Sequence, residues 1–258
     1  MNVLDWDTFD KGSLKTDKSA AMTIGVFDGL HKGHQKLINR ILNHGSNTSI
    51  VLTFRDNPRI FFKDRSYPGN VFTLSQKLNT LDSMGIDTVI LIDFSANFSK
   101  LSGKDFLNLI TDNCNLSYLA IGDNFRCGYK GKTDAEHAVN ILKENSTKID
   151  TVNMTKFQNQ LISSTRIRDA VSLGDFKEAK RMLGRAFSLD VADIPQIYSE
   201  KAIIIEKKNI KQVLPPQGLY VVQIGTSKGF FKEKVLFGAQ KIEVPLPKKQ
   251  KIAYIKFI

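Results

Sequence analysis

The sequence predicts an α/β fold, a parallel sheet covered by helices on both faces, followed by a small β module. Two observations predict it. From Ala20 to about Met154, short runs apolar on both sides alternate with helical patterns of about ten residues. After Gly184 the texture changes to period-two segments, as expected of strands with one face solvated. The strand candidates of the first part are Met22–Phe27, Ser49–Phe54, Thr88–Ile92, Tyr118–Ile121 and Asp150–Met154. Helical patterns lie between them at Gln35–Leu42, Leu74–Met84, Lys104–Asn113 and Ala135–Glu144. Two short helices follow, Ser164–Val171 and Phe176–Leu183, separated by Leu173-Gly174-Asp175. The later strand candidates are Ala202–Glu206, Leu219–Ile224, Lys234–Phe237 and Ile252–Phe257, with turns at Pro215-Pro216 and Pro245-Leu246-Pro247. A boundary is expected near residue 186, giving domains 1–186 and 187–258.

At 258 residues the chain can bury one large core or two modest ones. No apolar stretch approaches a membrane span, and Met1-Asn2-Val3-Leu4-Asp5 lacks the basic start of a signal peptide. The two cysteines, Cys114 and Cys127, form no CxxC pair. A cytoplasmic location without membrane contact is the expectation. The net charge is +11, and residues 200–258 hold twelve lysines against four glutamates. Those lysines are scattered through alternating segments instead of clustering. They suit solvated strand surfaces, and a nucleic-acid partner is not expected.

Ligands of parallel sheets lie beyond the carboxyl ends of the strands, and three polar segments fall there: Asp28–His34, Phe54–Arg59 and Gly122–Gly131. The first is the most informative. An apolar run ends in Asp28-Gly29, and His31-Lys32-Gly33-His34 then opens an amphipathic helix. Free N–H groups and the positive end of the helix dipole attract phosphate there. Glycines admit close backbone approach, and imidazoles add donors. A histidine pair at a helix start is in isolation a common cap, and no third ligand at metal spacing accompanies it, so no protein metal site is expected. The second segment with this character is Ile162-Ser163-Ser164-Thr165-Arg166-Ile167-Arg168, where hydroxyls at a helix start are joined by guanidiniums.

The first segment resembles the HxGH signature of nucleotidylyltransferases, which transfer a nucleotidyl group from ATP or CTP and release pyrophosphate. Its longer form, Gly25-x-Phe27-Asp28-Gly29-x-His31-x-Gly33-His34-Gln35, resembles the bacterial FAD synthetases, usually fusions of an FMN adenylyltransferase with a riboflavin kinase. Residues 162–168, continuing through Gly174-Asp175 and Leu183-Gly184-Arg185, resemble the same family's second motif. The resemblance implies a Rossmann-like parallel sheet followed by a β-barrel-like module, with ATP and FMN as substrates. It implies an ATP site of Gly25, Phe27, Asp28, Gly29, His31, Gly33 and His34, together with Ser164, Thr165 and Arg168. Catalytic roles fall to His31, His34, Asn124 and Arg168, and Mg²⁺ is expected to arrive on the ATP phosphates.

Two further segments carry the resemblance with departures. Gly122-Asp123-Asn124-Phe125-Arg126-Cys127-Gly128 resembles a family loop whose second aromatic is Cys127 here. Thr53-Phe54-Arg55-Asp56-Asn57-Pro58 resembles the family's flavin-bordering Thr-Phe-x-Pro-His-Pro, with Asp56 and Asn57 replacing proline and histidine. Phe54, Asn57, Pro58 and Phe125 are thus the expected flavin contacts, and Phe61-Phe62 could form an aromatic wall or core. The kinase half departs most. The family's Gly-Phe-Pro-Thr-Ala-Asn does not occur between Arg185 and Leu219, and only Leu214–Tyr220 resembles its barrel. The expected function is FMN adenylylation without riboflavin phosphorylation. The alternatives are transfer to another phosphorylated acceptor and non-catalytic binding of flavin or nucleotide. The sequence does not give the oligomeric state.

Overall fold

The computed structural model describes residues 1–15, 18–143, 146–245 and 250–258. Contacts divide the chain into two compact units: Met1–Asp64 with Lys77–Leu161, and Arg65–Gln76 with Ile162–Ile258. The boundary expected near 186 falls inside the second.

The first unit is built on six parallel strands, β1 (Asn2–Asp5), β2 (Ala20–Ile24), β3 (Thr48–Phe54), β4 (Thr88–Ile92), β5 (Leu116–Gly122) and β6 (Lys148–Val152), in the order β1-β4-β3-β2-β5-β6. Chain order reverses between β2 and β5, the switch point at which such sheets bind ligands. β2 and β4 are buried along their whole length, as the uninterrupted apolar runs require. On one face Met22, Leu52, Ile90 and Leu119 pack with Phe106 and Ile110 of the helix Gly103–Asn113 and Ala138 of the helix Ala135–Leu142. The opposite face, Ala21, Thr23, Val51 and Val89, is equally buried. Helix α1 (Lys32–Leu42) contacts β2, β3 and β5 and buries Ile38 and Ile41. β1 escaped prediction because three of its four residues are exposed, so it has no apolar run. α1 starts three residues before the expected Gln35, because the histidine motif itself supplies its cap. The expected end of the fourth helix at Glu144 lies outside the described residues, as do residues 246–247 of the Pro245–Pro247 turn.

The second unit holds α2 (Ser164–Ser172), α3 (Phe176–Leu183) and a curled seven-stranded antiparallel sheet, half of a barrel. Four strands had been expected. Ser188–Asp190, Gln196–Tyr198 and Lys241–Pro245 are additional, and the first two are only three residues long, too short to show alternation. Phe176 of α3 stacks on Phe257 of the last strand, ring centroids 4.0 Å apart. Residues 65–76 join this unit through Gln212, which is 2% exposed. Its Nε2 donates to Val71 O (2.8 Å), Ser188 O (3.0 Å) and Gln76 Oε1 (3.1 Å), and its Oε1 accepts from Asp190 N (2.7 Å).

Candidate active site

Beyond Ile24 the chain leaves β2 through backbone that few side chains adopt. Phe27 has φ 50°, Gly29 81° and Leu30 39°. Two of these are not glycine, and such conformations survive only where the surroundings enforce them. Burial does so here: Phe27 and Leu30 are almost wholly enclosed. Gly25 makes room, since a Cβ there would sit 3.1 Å from the Phe27 ring. Asp28, also buried, lies between the two enclosed side chains in the chain.

His31 then caps α1. Its backbone is extended (φ −67°, ψ 170°), and its Nδ1 accepts from His34 N at 3.3 Å. An imidazole accepting at Nδ1 carries its proton on Nε2, so the cap fixes the tautomer. The His34 ring stacks on that of His31 with centroids 3.6 Å apart, and Phe27 meets His34 edge-on at 5.1 Å. Gly33 permits this stack, because a Cβ there would lie 3.2 Å from the His31 ring. Gln35 Nε2 donates to Leu30 O at 2.8 Å and binds the helix back to the loop. The arrangement offers N–H donors and a helix dipole at the switch point, suited to phosphate.

After β5, Asn124 is exposed and its side-chain oxygen folds over Gly122, where a Cβ would approach it to 2.8 Å. Asp123 is fixed by accepting from Met154 N at 3.2 Å. Phe125 is buried in the hydrophobic core cluster. After β3, Asn57 caps the one-turn helix Pro58–Phe61, its Oδ1 accepting from Arg59 N at 3.1 Å, with Pro58 at the first helical position. Phe54 contacts Phe94 and Phe98, and Phe94 contacts Phe61 and Phe62. Phe61 and Phe62 are exposed, so this cluster presents an aromatic surface. Phe94 was missed because a lone phenylalanine after a strand gives no sequence signal.

Lys77 was also missed. It is 6% exposed, and its ammonium donates to Val26 O (2.9 Å), Phe54 O (3.0 Å) and Thr53 Oγ1 (3.3 Å). Burial lowers its pKa to about 8, against the opposing pull of Asp28 and Asp56. Its position three residues after Leu74 and four before Leu81, on the apolar stripe of the helix Leu74–Ser83, was the available signal.

Ser163 caps α2, accepting from Arg166 N at 3.2 Å. Ser164 is half-buried and Thr165 exposed. Arg166 is engaged by Glu178 of α3 through Nε at 3.0 Å. Arg168 is buried, donates from Nε to Gly69 O at 2.9 Å, and lies over the Tyr67 ring at 4.8 Å. An open groove of about 890 Å³ runs along α1, lined by Lys32, Gln35, Lys36, Arg40, Tyr118 and Lys148 among others; neither stacked histidine lines it. Among the described residues no three His, Cys, Asp or Glu side chains group as metal ligands. No described helix is long and apolar enough to cross a membrane.

The FAD synthetase family model matches residues 13–166, which includes the stacked histidines and the cap of α2. The chain belongs to the FAD synthetase family. It is accordingly a nucleotidyltransferase. A bifunctional riboflavin kinase/FMN adenylyltransferase from Buchnera aphidicola is 31% identical over 220 residues, 81% of this chain and 69% of that one. The protein of the same description from Escherichia coli is 26% identical, covering 80% of this chain and 68% of its own length. In fold, this family member is similar over its whole length to a macrolide-efflux protein from Streptococcus pneumoniae, with a TM-score of 0.83, 20% identity and 90% of that chain covered.

Proposed function

We propose that this family member is an FMN adenylyltransferase that makes FAD and pyrophosphate from FMN and ATP and does not phosphorylate riboflavin. The observation that carries the reading is His31, a helix cap whose Nδ1 is committed to His34 N and whose proton therefore stands on Nε2. A phosphate oxygen of FMN attacks the α-phosphorus of ATP, a new P–O bond forms, and the bond to the β-phosphate oxygen breaks to release pyrophosphate. No protein nucleophile is required; catalysis is positioning and charge stabilisation. In this scheme His31, His34, Lys32 and the α1 N-terminus hold phosphate oxygens, with Gly25, Phe27, Asp28, Gly29 and Gly33 shaping the loop.

Ser164, Thr165 and Arg168 are assigned to the outer phosphates of ATP on their motif alone. Asp28 and Asn124 are oxygen-bearing side chains that fit an Mg²⁺ carried by those phosphates, and the ion would supply charge neutralisation. For the flavin, Phe54 packs on Phe94, which joins the exposed Phe61 and Phe62, and Pro58 starts the helical turn that carries Phe61; this aromatic surface suits a ring system. Asn57 spends its side-chain oxygen on a helix cap, and Phe125 lies in the core, so these two expected contacts are the weaker ones. That commitment of Asn57 is the observation favouring the second reading, a different phosphorylated acceptor. Residues 1–186 are proposed as the adenylyltransferase domain, acting in the cytoplasm. Residues 187–258 are proposed as a degenerate relative of the kinase module, because the family's Gly-Phe-Pro-Thr-Ala-Asn does not occur between Arg185 and Leu219. The test is His31→Ala: FAD formation is expected to fall about 100-fold or more with the melting temperature nearly unchanged. Near-normal turnover would overturn the scheme.

A further inference from the structure

We propose that Lys77 is a positioning residue, whose buried ammonium sets the backbone of the 26–31 loop, and with it His31, by tying the Val26 carbonyl to the end of β3. This rests on the adenylyltransferase reading for its catalytic consequence, but not for its structural one. Three observations carry it. First, the ammonium has three acceptors, the Val26 and Phe54 carbonyls and the Thr53 hydroxyl, which matches the three N–H bonds of a lysine. Second, Val26 O is held twice, since Thr53 Oγ1 also donates to it at 3.0 Å. Regular pairing of β2 with β3 ends at Ile24–Leu52, so these side chains continue the connection where the ladder stops. Third, the next residues after Val26 include the left-handed Phe27, Gly29 and Leu30, a path that needs a fixed starting point.

The charge has a second effect. Asp28 is buried, and its negative charge and the Lys77 ammonium attract one another. A carboxylate at that position is costly without a nearby positive charge. Lys77 therefore fixes the geometry of a loop it does not belong to, and no contact with substrate is required of it.

The experiment compares Lys77→Met with Ile110→Val, a variant in the core beneath the other face of the sheet. Amide hydrogen exchange of residues 26–34 and steady-state kinetics are measured on both. In Lys77→Met, exchange in the loop is expected to accelerate at least about ten-fold, and kcat to fall about 100-fold, the scale of a 1 Å misplacement. KM for FMN is expected to change less than kcat, because at the flavin side Lys77 bonds only the backbone carbonyl of Phe54 and leaves its ring in place. Ile110→Val is expected to lower the melting temperature without either change. Loop exchange unaltered in Lys77→Met, or altered exchange with normal kcat, would overturn the proposal. Should Lys77→Met not fold, Thr53→Val removes one support of Val26 O and is expected to shift exchange and kcat in the same direction; no shift overturns it. A wild-type protein that makes no FAD would sink the proposed function alone, and loop exchange would still decide the role of Lys77.

Discussion

Gly33→Ala separates stability from catalysis at one atom. Alanine is favoured over glycine within a helix by about 1 kcal/mol, and Gly33 lies in the first turn of α1 with no positive φ to forbid a side chain. The new methyl group would stand 3.2 Å from both Cε1 and Nδ1 of His31, closer than an ordinary carbon contact. The ring must yield by a few tenths of an ångström. It is buried and stacked on His34, so it moves by loosening its bond with His34 N, a loss of about 1 kcal/mol. The two effects offset, and the melting temperature should stay within a few degrees of wild type. Turnover should not: a displaced Nε2 misaims the phosphate, and a fall of about 10- to 100-fold is expected. Scanning calorimetry and initial rates of FAD formation at saturating ATP and FMN check both halves. Turnover within about two-fold of wild type, in a folded protein, would refute the reasoning that His31 acts from the position the glycine permits.

Gln212→Leu should destabilise the second unit by roughly 3 kcal/mol or more, because two backbone carbonyls and one N–H lose a buried partner together. A lower urea midpoint checks this, and an unchanged midpoint would contradict the network's importance. Burial pushes the thiols of Cys114 and Cys127 up to about 12 from an ordinary 9. Their raised folded-state pKa favours the neutral thiol, so the stabilisation they contribute is complete below pH 9 and is lost as pH rises towards 12. At pH 8 neither should react with a disulfide reagent until urea is added; rapid labelling of the native protein would contradict it.

The parallel sheet was legible because strands buried on both faces write their burial directly as apolar runs, and β4 was found to the residue. The exposed edge strand β1 wrote nothing. His31 and His34 stood out because glycines and histidines at a strand-to-helix junction have few other uses. The tautomer was not legible, since it depends on a backbone N–H three residues on. Lys77 was hidden for the opposite reason, as a lysine reads as solvated until the carbonyls that enclose it are known. Residues 65–76 could not be assigned to the second unit from the sequence, because Gln212 joins them across more than a hundred residues. Asn57-Pro58 suits a cap as well as a flavin contact, and the sequence does not show that the Asn57 oxygen accepts from Arg59 N.

Product analysis tests the central claim most directly. Purified protein is incubated with ATP and Mg²⁺ and either FMN or riboflavin, and the flavins are separated by chromatography. FAD and equimolar pyrophosphate are expected from FMN, and neither FMN nor FAD from riboflavin. Absence of FAD from FMN would contradict the adenylyltransferase reading, and any phosphorylated product from riboflavin would contradict the reading of residues 187–258.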